Sequence, residues 1–349
     1  QLLVALAVLG GAGDRAGGAH VFERDRRGVE QAVGLVLGFA VGLALVGHAQ
    51  HAERLRGRWQ VRHTGFVPEL PEVETVMQGL RSFLEGHTIT RIDCRSPALR
   101  TPLPVPELQA LQGIRILPLQ RRAKYILVPF ANGKTLVSHL GMTGSFSVFL
   151  PEHVPSLNID RHDHLVMTMA DGTVIVYRDP RRFGVIDVVA TEGVDNGPYF
   201  AHLGPEPLEG GFTATTLRAA LAKRTAAIKP VLMDQSVVVG IGNIYASEAL
   251  YLSGIHPETP ANTVSAKQAA VLVKAIRAIL TAAIQSGGST LRDYRRVGGE
   301  RGYFQFQFSV YDRAGQACPD CTCSIKRTGG IQRIVQSGRS TFFCPEKQV

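Results

Sequence analysis

Pro68-Glu69, a cluster of four cysteines and several cations in polar turns hold the chemistry open to this sequence. A proline followed by glutamate becomes reactive when the proline begins the chain. Its nitrogen is then a secondary amine, able to attack an aldehyde-like carbon. Inside a chain it is a tertiary amide with no lone pair to offer. An α-amine titrates at roughly 7.7–8.0, against about 10.4 for lysine, so far more of it is free base at neutral pH. Residues 1–67 precede Pro68 here. A nucleophilic Pro68 therefore predicts that the working chain starts at that residue.

Residues 1–67 differ from the rest in composition. They carry eight Arg, five acids, no Lys and no Cys, with Ala, Gly, Val and Leu dominant. The apolar run Gln31–Gly47 is glycine-rich and shorter than the ~20 residues a membrane span needs. No small-residue cleavage site leads to Pro68, and Asp14, Glu23, Asp25, Glu30 and Glu53 argue against an acid-poor transit peptide. Val67 fits a GTG codon, which encodes valine within a frame but initiates with methionine. The expectation is that 1–67 is a leader, non-native or processed, upstream of the true start.

Cys318-Pro319-Asp320-Cys321 is a metal-knuckle spacing, and Cys344 follows a strand–turn–strand pattern over Ile331–Phe343. A zinc ribbon uses two such pairs, which would put the fourth ligand at Lys347. Lysine is protonated at neutral pH and makes a poor ligand. Cys323 is the substitute, so the expected set is Cys318, Cys321, Cys323 and Cys344 around one structural zinc ion. This usage points to a metal site in a reducing compartment. Cys94 stands apart and reads as structural.

Other candidates face a polyanion. The chain carries a net charge of +9, which suits such a partner without proving one. Arg339 sits in the polar turn Gln336-Ser337-Gly338-Arg339. In Gly240-Ile241-Gly242-Asn243, glycines allow close backbone approach and Asn243 adds a donor beside a helix start. Arg181 and Phe183, in Asp179-Pro180-Arg181-Arg182-Phe183-Gly184, combine cation and aromatic as a base-stack wedge does; Met142 is a second wedge candidate.

These residues need elements to hold them. Pro71–Leu84 has helical apolar spacing, with Pro71 at the first position and Glu72 and Glu74 favouring the positive end. Strand-like runs follow at Thr88–Cys94, Tyr125–Pro129, Thr135–His139, Leu165–Met169, Val174–Tyr177 and Val185–Val189, as in a β-sandwich or barrel. His202–Leu208 reads as a linker. Helices are expected at Thr216–Lys223, Ile228–Met233, Ile244–Leu252 and Ala266–Gln285, the last stopped by Gly287-Gly288. Strand alternation returns at Tyr303–Tyr311.

The motifs PELPEVET, QRRAKYIL, HLGMTGS, RHDH, DPRRFG, HLGPEPL, AIKPVLMDQ, VGIGNIYASEAL, GIHP, GG-STL, GYF and QSGRSTFFC, in that order, closely resemble bacterial formamidopyrimidine-DNA glycosylases. PELPEVET favours this branch over the endonuclease VIII type. The resemblance implies an α+β multidomain fold. Residues 68–200 would form an N-terminal catalytic β-sandwich, 201–300 a helix–two-turns–helix DNA-binding domain and 301–349 a zinc-ribbon-like β-hairpin. It implies a bifunctional glycosylase/AP lyase removing oxidised purines, with Pro68 as nucleophile, Glu69 as acid, and Lys124 and Arg339 assisting elimination. His162, Arg181, Arg224, Lys229 and Asn243 would contact DNA, although Thr225 competes with Arg224 for its position. Met142, Arg181 and Phe183 would fill the vacated stack. The partner implied is double-stranded DNA with oxidised purines or abasic sites. The resemblance further implies a cytoplasmic, nucleoid-associated monomer in a bacterium, with no membrane and no obligate protein partner.

Overall fold

A computed structural model describes residues 67–288 and 308–349. Helix α1 runs Leu70–Leu84 and follows the expected spacing: Val73, Val76, Met77, Leu80 and Leu84 are buried along one face. It starts where Glu69 N–H donates to the Glu72 carboxylate at 3.0 Å, and Pro71 needs no partner for its missing N–H.

Eight strands follow: β1 (Ile89–Cys94), β2 (Gln120–Arg122), β3 (Tyr125–Pro129), β4 (Lys134–His139), β5 (Ser145–Phe149), β6 (Asp163–Met169), β7 (Val174–Arg178) and β8 (Val185–Ala190). They form two four-stranded sheets, β1-β6-β7-β5 and β2-β3-β4-β8, with antiparallel neighbours throughout. One core joins Ile92, Phe146, Leu165 and Ile175 of the first sheet to Ile126, Val128, Leu136 and Ile186 of the second. The buried face of α1 lies in that same core. Of the two architectures open in the sequence, the sandwich is the one formed. Two strands lay outside the sequence expectation. β2 is three residues long with no buried member, and β5 is buried at every position. β2 has no apolar alternation, whereas β5 alternates in sequence as Ser-Phe-Ser-Val yet buries its serines as well. The short helix α2 (Val105–Gln109) also lay outside the expectation.

The helical part contains α3 (Ala214–Leu221), α4 (Ile228–Leu232), α5 (Asn243–Ser253) and α6 (Ala266–Gln285). Thr213 and Ser265 begin α3 and α6 with reciprocal capping boxes. Gly287 and Gly288 both have positive φ just beyond α6, as expected. By length and hydropathy α6 could cross a membrane, but its apolar face belongs to the helical core.

After α7 (Ile325–Thr328), β9 (Gln332–Gln336) and β10 (Arg339–Phe343) form an antiparallel hairpin. Ser337 and Gly338 both have positive φ at its tip, the requirement of a two-residue type I′ turn. Val310, Tyr311, Cys318, Phe342 and Cys344 share the core of the helices, so the ribbon packs directly on them. The strand expected at Tyr303–Tyr311 is not formed where it can be seen. Residues 303–307 lie outside the described residues, 308 is irregular, and 309–311 are bends and a turn. There Ser309, Val310 and Tyr311 donate their amides to the Glu248 carboxylate at 2.9, 3.0 and 2.8 Å. That single acceptor replaces a strand partner. The leader, with Gln31–Gly47, and most of GG-STL and GYF also lie outside the described residues.

Candidate active site and metal centre

Glu69 is 3% exposed and occupies the first turn of another helix. Its carboxylate accepts the amides of Gly242 at 2.6 Å, Ile244 at 2.9 Å and Tyr245 at 3.4 Å, all at the start of α5. Gly242 is required by this approach: a Cβ there would lie 2.4 Å from the Glu69 Cδ. Leu70 N–H donates to Gly240 O at 3.0 Å, fixing the start of α1 to the same loop. Buried Pro68 is thereby held one residue from a carboxylate locked on a helix N-terminus.

Burial raises the Glu69 carboxyl strongly. Lys124 and the amides pull it down, and Glu72 pushes it up again, leaving it at about 7. Glu72 accepts the Tyr245 hydroxyl at 2.8 Å. Lys124 donates to Ile241 O at 3.1 Å. Desolvation lowers its ammonium below the usual lysine range, opposed by Glu69 and assisted by Arg339. Burial thus moves the two groups toward each other from opposite sides, Glu69 upward and Lys124 downward.

Lys229 is 1% exposed. Its Nζ donates to Asn243 Oδ1 at 2.6 Å, Thr341 Oγ1 at 2.7 Å and Ser340 O at 3.2 Å. Burial lowers it to about 8, with Glu69 opposing and Arg339 assisting. Asn243 Nδ2 donates to Ser340 O at 3.0 Å and the Tyr311 hydroxyl at 3.3 Å. Both residues thus tie β10 to the start of α5. Arg339, the first residue of β10, is exposed and lines a cavity of about 300 Å³ with Lys229, Met233 and Asp234. Pro68, Glu69, Lys124, Lys229, Asn243 and Arg339 therefore belong to one neighbourhood.

A second group lies at the turns of the sandwich. Buried Asp179 binds Thr143 Oγ1 and accepts Gly184 N–H at 2.8 Å, while Thr143 Oγ1 accepts Arg181 N–H at 3.1 Å. Gly141, at φ +61, packs where a Cβ would meet the Phe183 backbone at 2.5 Å. The loops carrying Met142, Arg181 and Phe183 are thus clamped together. Phe183 is 46% exposed, with the Arg181 guanidinium 4.7 Å from its ring centre. His162 joins them through its carbonyl, which accepts Asp179 N–H at 3.0 Å. Arg224 reaches the first group through Asp234, which lines the Arg339 cavity and pairs with Arg224 at 2.6 Å; Thr225 is exposed beside it.

The four cysteines converge. Sγ of Cys318 lies 3.1 Å from Cys323 and 3.4 Å from Cys344, and Cys344 lies 3.7 Å from Cys321 and 3.8 Å from Cys323. Tetrahedral ligation with bonds of about 2.3 Å gives sulfur separations of roughly 3.8 Å, and the four Sγ atoms, all within 4.8 Å of one another, are close enough to share one metal ion. Lys347 is engaged elsewhere. Its ammonium sits 4.0 Å above the Tyr251 ring and 3.7 Å from Asp320.

Sequence reasoning missed Glu72, Tyr245 and Tyr311 as members of the site. Glu72 looked like a helix-start charge, and nothing in the local pattern marks Tyr311 as a partner of Asn243.

A β-sandwich, a helix–two-turns–helix domain and a cysteine ribbon define an α+β multidomain class. Family models agree in detail: the formamidopyrimidine-DNA glycosylase N-terminal domain matches residues 67–186, and the formamidopyrimidine-DNA glycosylase H2TH domain matches 203–295. A Rhodospirillum rubrum formamidopyrimidine-DNA glycosylase is 50% identical over 283 residues, covering 81% of this chain and 100% of that protein. Solved structures give the same answer. Lactococcus lactis Fpg with an abasic site containing DNA has a TM-score of 0.71 at 36% identity, covering 80% of this chain and 99% of that one. The wild-type protein from that organism with an N7-benzyl-Fapy-dG containing DNA has a TM-score of 0.71 at 35% identity, with the same coverage. The chain belongs to the formamidopyrimidine-DNA glycosylase family.

Proposed function

We propose that this protein is a bifunctional DNA glycosylase and AP lyase of base excision repair, acting from a chain that begins at Pro68. The reading is carried by Glu69, buried next to Pro68 on the amides of α5 and near half-protonation at neutral pH. The substrate is double-stranded DNA with an oxidised purine, above all 8-oxoguanine or a formamidopyrimidine, or with an abasic site. Relatives solved with Fapy-dG and abasic DNA support that class.

The free Pro68 amine attacks C1′ of the damaged nucleotide, the C1′–N bond to the base breaks, and the proton lost from the amine goes to the departing base. Protonated Glu69 supplies a proton as the sugar ring opens, leaving an iminium between Pro68 and C1′. The iminium acidifies the C2′ hydrogen. Loss of that proton, assisted by Lys124, expels the 3′ phosphate by β-elimination. Arg339 assists δ-elimination of the 5′ phosphate. Extruding a base costs a few kcal/mol. Met142, Arg181 and Phe183 offset this by filling the gap, with Arg181 reading the opposite cytosine. His162, Lys229, Asn243 and a basic residue at Arg224 hold phosphates.

The reading divides the working chain into 68–200, 201–300 and 301–349, with 1–67 outside it. One zinc ion on Cys318, Cys321, Cys323 and Cys344 would fix the hairpin that carries Arg339; the four sulfurs are close enough to share it. The protein would act as a monomer in the cytoplasm at the nucleoid.

Borohydride trapping tests the nucleophile. With lesion DNA, the Pro68-started protein gives a covalent adduct and the 349-residue chain gives none. Absence of an adduct with Pro68 exposed would favour a relative that binds lesions without cutting.

A further inference from the structure

Glu206 lies in the linker between the sandwich and the helices, yet it is only 5% exposed. Its Oε1 accepts Ala123 N–H at 2.6 Å and Arg122 Nη1 at 3.0 Å, and its Oε2 accepts Arg121 Nη1 at 2.8 Å. Arg121 also binds Ala123 O at 3.0 Å and Glu74 of α1 at 2.8 Å, and Arg122 binds Gly204 O at 3.0 Å. All these contacts converge on one hairpin. Arg122 pairs with Tyr125, so Ala123 and Lys124 form a two-residue loop. Ala123 has φ +53, and a loop with positive φ at its first residue favours glycine there. An alanine persists in such a conformation only where its surroundings over-determine it.

We propose that Glu206 is a positioning residue for Lys124: it clamps the Ala123 turn in its left-handed conformation and thereby aims the next side chain at the Glu69 neighbourhood. The linker that joins the two domains then also sets the catalytic lysine, so a shift of the domains is felt at the site. Its consequence for turnover rests on the role proposed above for Lys124. The placement itself is tested without turnover.

The full chain is reductively methylated with ¹³C, and each lysine is titrated by NMR, the Lys124 resonance being assigned by its loss in Lys124→Arg. In the parent protein Lys124 should titrate below the ordinary lysine range, because burial disfavours its ammonium. Losing the Glu206 charge would, by Coulomb's law alone, lower it further. Release of the turn into water instead raises it toward about 10.4. The expected result for Glu206→Gln is therefore a rise, with exposed Lys134 on the same sheet unchanged as control. Adding Ala123→Gly to Glu206→Gln should return Lys124 to its parent value, because glycine holds positive φ without the clamp. If Glu206→Gln does not fold, Glu206→Asp shortens the reach and should move Lys124 in the same direction. A fall or no change at Lys124, a parallel shift at Lys134, or no rescue by Ala123→Gly would each overturn the proposal. A protein that passes this titration but fails borohydride trapping loses the catalytic reading and keeps this one.

Discussion

Glu69 and Glu248 are both buried, and each accepts three backbone amides, yet they sit in different chemistry. Glu69 reaches from outside α5 onto its first turn, where the helix dipole favours a carboxylate. Glu248 sits in the middle of α5 and gathers the turn at residues 309–311. Burial raises both carboxyls. Glu69 has Lys124 and Glu72 beside it, whereas Glu248 has Arg313. Equal hydrogen bonding therefore does not make equal residues. Burial brings the Glu69 carboxyl to about 7 beside a second acid and a lysine, whereas Glu248 serves as a clasp.

The contrast fails if both substitutions to glutamine act alike. In the Pro68-started protein, Glu69→Gln should slow base excision by about 10²–10⁴-fold in single turnover, the range of general acid–base catalysis. Lesion-DNA affinity should change far less.

The second effect concerns stability. The Glu69 carboxyl is raised in the folded state from 4.5 to about 7. Its contribution is fully present below pH 4.5 and is lost as pH rises through about 7. Glutamine has no such titration. The stability of the parent relative to Glu69→Gln should therefore fall across this window, by roughly 3 kcal/mol at about 1.4 kcal/mol per unit. Denaturant melts at several pH values measure it; a flat difference would mean that Glu69 is not poised where its surroundings indicate.

Glu248→Gln leaves one amide facing an N–H₂ group and should cost about 1–3 kcal/mol of stability, with excision intact below the melting transition. A loss of excision as large as for Glu69→Gln would make Glu248 part of the chemistry.

Cys323→Ser tests the far end of α5, where Tyr251 accepts Asp320 N–H at 3.3 Å beside the cysteines. Metal analysis should show reduced zinc content, with no direct effect on Glu69. Undiminished zinc would exclude Cys323 as a ligand.

Much of this was legible in the chain. Pro71 and the helical spacing of Val73, Val76, Met77 and Leu80 announced α1. Tyr125–Pro129 and Ala266–Gln285 carried their elements at the observed limits, the first as a short apolar run, the second through helical periodicity and a capping box. The knuckle Cys318–Cys321 and the position of Cys323 pointed to the sulfur cluster. The motifs themselves named the family and the residues to watch.

Only tertiary structure decided how these residues work. Glu69 becomes a neutral-range acid through burial against α5, which lies 173 residues away along the chain. Lys229 and Asn243 read as phosphate ligands in the sequence; the fold joins them to β10 and so links the ribbon to the site. Glu206 looked like linker, and its role at Ala123 exists only once two arginines and a strained turn converge on it. Local pattern records periodicity and capping, which are short-range. Desolvation and charge coupling depend on partners brought together by the fold, and no window of sequence contains them.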